Sequence, residues 1–196
     1  MMKKLALPLI AALPLGACIS LGGEEPPATL FTLSATAQPE RPAPETAEPN
    51  FLTVAVPKVP AALQTLRLPV RVSATEYAYL KDAQWVEQPN RLFQRLVSDT
   101  VAARTSLVPL DPRQTTVDPG RRLIGELLDF GLDVTEGRAV KIRYNATLAG
   151  PGSKIAVRQF AGSEPVASDD PKAVAAALNR AANRVAADVA AWVAGN

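Results

Sequence analysis

The chain has 196 residues, with 21 Lys+Arg against 19 Asp+Glu, no histidine, one cysteine and 18 prolines. That length suits one domain with a real core. The missing histidine removes imidazole-activated nucleophiles and nearly all catalytic zinc sites, the lone cysteine removes an intramolecular disulfide, and a formal charge of +2 offers no nucleic-acid surface.

Residues 1–17 read as a targeting segment: Lys3 and Lys4, an apolar run from Leu5 to Leu15, then small residues before a cut. The run is short of the ~20 residues a spanning helix needs, and Pro8 and Pro14 interrupt it. Leu15-Gly16-Ala17-Cys18 resembles the bacterial lipobox, in which the cysteine thiol receives a diacylglycerol and becomes the new N-terminus. Cys18 is therefore the expected lipidation site. Each buried methylene of the acyl chains adds roughly 0.8 kcal/mol, so two or three chains together hold durably. Lipoprotein sorting retains proteins with Asp after the cysteine in the inner membrane. Here the position is Ile19, which points to the outer membrane, on its periplasmic face. Loss of Lys3 and Lys4 leaves 19 basic residues against 19 acidic, a formally neutral mature chain.

Residues 18–28 form a lipidated tether with Gly22-Gly23 and Pro26-Pro27, and 29–196 form the domain proper. Thr29 to Leu33 reads as a first strand. Residues 35–50 carry Pro39, Pro42, Pro44 and Pro49 among glutamates, a Pro-rich loop with too little apolar surface to offset its ordering entropy. Strands are predicted at Phe51 to Val56, Leu68 to Ser73 and Glu76 to Leu80. Asp82 to Glu87 is expected to lead into a helix from Pro89 to Arg104, whose Leu92, Phe93, Leu96, Val97, Val101 and Ala102 make one apolar stripe. A short strand, Leu107 to Leu110, and a turn-rich connection, Asp111 to Gly120, come next.

Strict alternation over Val140 to Leu148 marks a half-buried antiparallel strand, with Arg122 to Val134 as its hairpin partner. Gly150 to Ser153 turns the chain into a strand from Lys154 to Phe160. A helix from Pro171 to Val193, capped by Asp169 or Asp170, closes the chain. Its expected buried face is Val174, Leu178, Ala181, Val185, Val189 and Trp192, with Arg180, Asn183, Arg184 and Asp188 facing water. The sum is a single α+β domain: a mostly antiparallel sheet covered by two helices, one central and one C-terminal.

This order of motifs resembles the ABC-type transport auxiliary lipoprotein family, which includes the third component of the paraquat-inducible transport system. The residues that carry the resemblance are the lipobox, Leu30-Phe31-Thr32-Leu33, Val54-Ala55-Val56-Pro57-Lys58-Val59-Pro60, and Tyr77-Ala78-Tyr79 ahead of Trp85. The strand Leu123 to Phe130 and the alanine-rich closing helix complete the set. The resemblance implies an outer-membrane-anchored, non-enzymatic docking component of a lipid-transport machine, in which an inner-membrane ABC permease and ATPase work with an MCE-type periplasmic substrate-binding protein. Assembly into a homo-oligomer suits a component that caps an oligomeric channel, although no residue pattern requires it. An alternative is a lipid-binding carrier holding cargo between sheet and helices.

The remaining candidates are weighed on their chemistry. Asp129 and Asp133 share a face on a regular strand at roughly 13 Å, beyond the ~5–9.5 Å of paired glycosidase carboxylates; Asp169-Asp170 fits a helix start. No catalytic residue, cofactor or metal is assigned. Tyr77, Tyr79 and Trp85 are the partner- or lipid-contact candidates, since such side chains are enriched at interfaces. Lys141, Arg143 and Arg158 are candidates for a polar sheet face meeting phospholipid headgroups.

Overall fold

The alternating pattern of the Val140 segment sets the architecture, because it gives one face of a sheet to the core and leaves the other in solvent. A computed structural model describes residues 29–37, 50–112 and 120–196. The targeting segment, the tether with Cys18, residues 38–49 of the Pro-rich loop and 113–119 of the turn-rich connection lie outside the described residues. In chain order the elements are β1 (Leu30–Phe31), β2 (Asn50–Val54), β3 (Arg67–Arg71), β4 (Tyr77–Trp85) and α1 (Pro89–Arg104). There follow β5 (Leu107–Leu110), β6 (Arg122–Asp133), β7 (Ala139–Ala149), β8 (Ile155–Pro165) and α2 (Pro171–Ala194).

All eight strands form one sheet, and β6 is its axis. Along one edge β6 pairs antiparallel with β7, which pairs antiparallel with β8. Along its other edge β6 meets two strands in succession. Its start lies parallel to β2 at Thr53↔Arg122, and its end lies parallel to β3 at Val70↔Leu132. Beyond β2 is β5, and beyond β3 come β4 and β1. The long pairings are antiparallel, as expected; the short pairings of β6 with β2 and β3, of β2 with β5, and of β1 with β4 are parallel and make the sheet mixed.

Both helices pack on one face, and the α+β expectation holds. On β7 the inward set is Val140, Ile142, Tyr144, Ala146 and Leu148, all buried. The α1 stripe meets it, with Phe93 edge-on to Tyr144 at 5.2 Å between ring centroids. The residues Val174, Leu178, Ala181, Val185 and Val189 bury the matching face of α2. Trp192 is half-buried, edge-on to Phe160 at 5.6 Å. Pro89 opens α1 and Pro171 opens α2, where a missing N–H costs nothing. Of the two candidate caps, Asp170 accepts from the Ala173 N–H at 2.9 Å.

Four local expectations change. Asp82 to Trp85 belongs to β4 and not to the approach to α1: the strand continues through a bulge, with Asp82 at φ +54°. A non-glycine residue there breaks the alternation on which the strand reading relied. Strand β8 runs on to Pro165, because Ala161, Gly162 and Ser163 extend the ladder without an apolar signature. Asn183 does not face water; it is buried, held by the chain segment around Ser34. Trp85 is a core residue, packed against Phe31 and Phe130 at centroid distances of 6.5 and 5.6 Å.

Candidate functional site

The face of the sheet away from the helices carries the candidate site. Alternation places Lys141 and Arg143 of β7 on it, with Asp129 and Asp133 of β6 and Arg71 of β3 beside them. Register brings Asp129 directly opposite Arg143, and the Arg143 Nε donates to Asp129 Oδ2 at 2.7 Å. Arg71 approaches the other oxygen of Asp129 only to 3.8 Å. Lys141 Nζ lies 3.1 Å from Asp133 Oδ2. The face thus holds three cations around two carboxylates.

The carboxylates are fixed in their roles. Burial of Asp133 works to raise its pKa. The Thr135 hydroxyl and N–H, bound to Oδ1 at 2.6 and 2.9 Å, and the Lys141 ammonium outweigh that effect and hold the carboxyl below its ordinary range. Such a group accepts hydrogen bonds and does not deliver a proton near neutral pH. Asp129 and Asp133 share a face as expected, and each is tied to its own cation.

Beside this cluster the tyrosines of β4 pair with arginines of β3. The Arg67 guanidinium lies over the Tyr79 ring at 4.5 Å and that of Arg71 lies 5.9 Å from the Tyr77 centroid. The Tyr79 hydroxyl also reaches the Ala62 carbonyl at 3.5 Å, tying β4 to the short 3₁₀ turn Ala61–Leu63. Between that turn and β6 opens a small cleft of about 70 Å³. Ala62, Leu63, Pro69, Tyr77 and Leu128 give it apolar lining, and the charged side chains Arg71, Lys141, Asp129 and Asp133 line it as well. Gly131 makes its floor, where a Cβ would come 2.4 Å from the Pro69 carbonyl oxygen.

The structure therefore brings Tyr77 and Tyr79 to one surface and takes Trp85 away from it. The Trp85 indole is 1 % exposed, and its Nε1 is a buried donor with no hydrogen-bond partner among the described residues. Lys141 and Arg143 stand on the open face as expected. Arg158 does not: the register Ala146↔Arg158 puts it on the helix-side face, where it stacks over Phe160 at 5.1 Å. Sequence reasoning passed over Arg71 and Leu128. The doubled apolar pair Leu127-Leu128, which breaks the alternation, is the signal of the β6 bulge that turns Leu128 into the cleft wall.

A family model described as the ABC-type transport auxiliary lipoprotein component matches residues 31–190. The chain belongs to that family. The match spans β1 to most of α2, including the open sheet face and its cleft. Among solved structures, the crystal structure of protein XCC0632 from Xanthomonas campestris superposes with a TM-score of 0.71 at 22% identity, covering 85% of this chain and 95% of that one. A second crystal structure, of an uncharacterized protein, superposes with a TM-score of 0.66 at 14% identity and covers 84% and 99%. These similarities establish the shared fold. No curated protein matches the sequence. Among the described residues no helix is long and apolar enough to cross a membrane.

Proposed function

We propose that this auxiliary lipoprotein is a docking component, anchored through acylated Cys18 to the periplasmic face of the outer membrane, that joins an MCE-type substrate-binding protein of an ABC lipid-transport system to that membrane. The observation that carries the reading is the family match from residue 31, a short tether after the single cysteine, which stands in a lipobox. Membership of the family supplies the ABC transport system; the MCE partner, the lipid cargo and the outer membrane are parts of the proposal. Its role is structural, with no reaction and no cofactor assigned.

The packing of the interior favours docking over a carrier that holds cargo between sheet and helices. Phe93, Val97, Val101, Ala177, Leu178, Ala181 and Val185 meet Ile142 and Tyr144 in one core cluster. Admitting a lipid there would mean separating layers whose close packing stabilises the fold.

Crosslinking in native membranes followed by purification of this chain tests the docking role. Recovery of an MCE protein is expected, and its absence under conditions that capture other envelope complexes would count against docking. Anchoring has its own measurement: radiolabelled palmitate is incorporated by the wild type and not by Cys18→Ser. Membrane separation then places the labelled wild type in the outer-membrane fraction, and label in the inner-membrane fraction would contradict the sorting assignment.

A further inference from the structure

We infer that the corner of the open sheet face where β8 begins is a membrane contact: Ile124, Ile155 and Val157 enter the headgroup region of a bilayer, and Arg122 and Lys154 meet its anionic phospholipids. Register assembles this corner. Two rows run across β6, β7 and β8, with Arg122, Ala149 and Ile155 in one and Ile124, Thr147 and Val157 in the next. Alternation turns all six side chains away from the helices. Val157 and Ile155 are the most exposed large apolar side chains among the described residues, at 71% and 69%, and Ile124 is exposed beside them. The following row, Glu126, Asn145 and Gln159, is polar. There Gln159 Nε2 donates to Asn145 Oδ1 at 2.7 Å, and the apolar area ends.

Charge and shape decide what covers the corner. Arg122 and Lys154 are exposed, and neither makes an ion pair among the described residues. The two rows together with Lys154 hold two cations and no carboxylate. A strand added along the free edge of β8 would leave Ile124, two strands inward, uncovered. A second copy of the chain laid face to face across a two-fold axis would bring these cations together with no acid in either corner. A bilayer with anionic phospholipid meets both the charge and the shape. It is a broad surface that takes apolar side chains at the boundary of headgroups and acyl chains, and its phosphates attract Arg and Lys.

The anchor supplies the proximity, so the inference rests on the reading of Cys18 as acylated. Ten residues, 19–28, separate Cys18 from Thr29, and the chain between them spans at most about 40 Å. Across the sheet the order β1, β4, β3, β6, β7, β8 makes five spacings. At about 4.8 Å each they amount to about 24 Å. The β8 corner is therefore within reach of the bilayer that holds the acyl chains. Acylation alone keeps the domain near the membrane; this contact adds a second point of attachment and fixes which way the open face is turned.

Flotation with vesicles measures the contact in the mature chain, residues 18–196, carrying Cys18→Ser so that no acyl chain contributes. Binding to vesicles of phosphatidylethanolamine and phosphatidylglycerol is expected, and phosphatidylcholine vesicles should bind at least about tenfold more weakly. The double variant Ile155→Thr/Val157→Thr keeps β-branched side chains on the strand and should lower the partition coefficient at least about tenfold. Arg122→Gln and Lys154→Gln should each lower it about fivefold. Val86→Thr, exposed beside β1 at the other edge, should leave it unchanged. Melting curves confirm that each variant folds, and the two Gln variants decide the question if the double variant does not. The inference is overturned if the wild type fails to float with anionic vesicles, if phosphatidylcholine serves equally, or if the folded double variant or both Gln variants float as well as the wild type. An equal loss in Val86→Thr also overturns it. So does sedimentation showing a wild-type dimer that the double variant dissolves, since a second copy would then cover the corner. Palmitate labelling keeps the two readings apart: labelled Cys18 with no vesicle binding strikes this contact alone, whereas vesicle binding without label strikes the anchor alone.

Discussion

Asn183 sits at a flank position of α2 where polarity alone suggests solvent, yet its amide is fully engaged. Its Oδ1 accepts from the Thr36 N–H at 2.8 Å and the Thr36 hydroxyl at 3.0 Å, and its Nδ2 donates to the carbonyls of Ser34 and Asn179. Thr36 lies 147 residues and Ser34 149 residues away in the chain, so no local pattern could reveal them. Asn183→Ala leaves several of these groups without a partner and should cost about 1–3 kcal/mol in chemical denaturation. The same logic explains why Trp85 reads as a surface aromatic: its cover, Phe31, arrives from the far N-terminal strand. Tyr77 and Tyr79 were legible because strand alternation sets their face directly.

Asp133 gives the residue scale a pH dependence. Its folded pKa lies below the unfolded value of about 4. The stability it contributes is complete above that unfolded value and is lost as pH falls through the folded one. Glu164 follows the same sign: hydrogen bonding from Arg180 lowers its pKa most, burial opposes this, and Arg184 adds to the lowering. Stability measured by denaturant midpoint should therefore decline below about pH 4. Asp133→Asn should flatten part of that decline, and an unchanged acid slope in the variant would contradict the assignment.

At the scale of elements, α2 shows which signals travel through sequence and which do not. Its limits were readable from Pro171, its cap and its apolar period, and Asp170→Ala should cost about 1 kcal/mol of stability by denaturant titration. The closeness of α2 to the sheet is set by small residues on both sides. A Cβ at Gly162 of β8 would meet Val185 Cγ2 at 2.8 Å and the Ala181 carbonyl oxygen at 3.2 Å. Gly162→Ala should therefore destabilise the protein by about 1–3 kcal/mol, measured the same way, because the helix must shift outward. The alanine content of the helix is compatible with such an approach. That Gly162 is the contact point follows from the β7–β8 register, which is a property of the assembled sheet.

At the scale of the whole molecule, the branching of the sheet at β6 was the least legible feature. Hairpins β6–β7 and β7–β8 are local and their alternation announces them, whereas the parallel pairings join strands far apart in sequence. The smallest strand, β1, shows what such distant pairing contributes. Its two residues lie parallel to Gln84 and Trp85, Phe31 rests edge-on to the indole, and Leu33 and Ala35 pack against the core before Ser34 and Thr36 meet α2. One short segment thus joins the β4 edge to the C-terminal helix and closes the core between them. Forms beginning at Thr29 and at Asn50, both carrying Trp192→Phe so that Trp85 alone reports, separate this role from that of the anchor. The form from Thr29 should keep the blue-shifted emission of a buried indole. The form from Asn50 should emit to the red and lose about 3 kcal/mol of stability, the scale of removing a large core aromatic. Equal emission from the two would mean that the N-terminal segment merely lies on a core that is already closed.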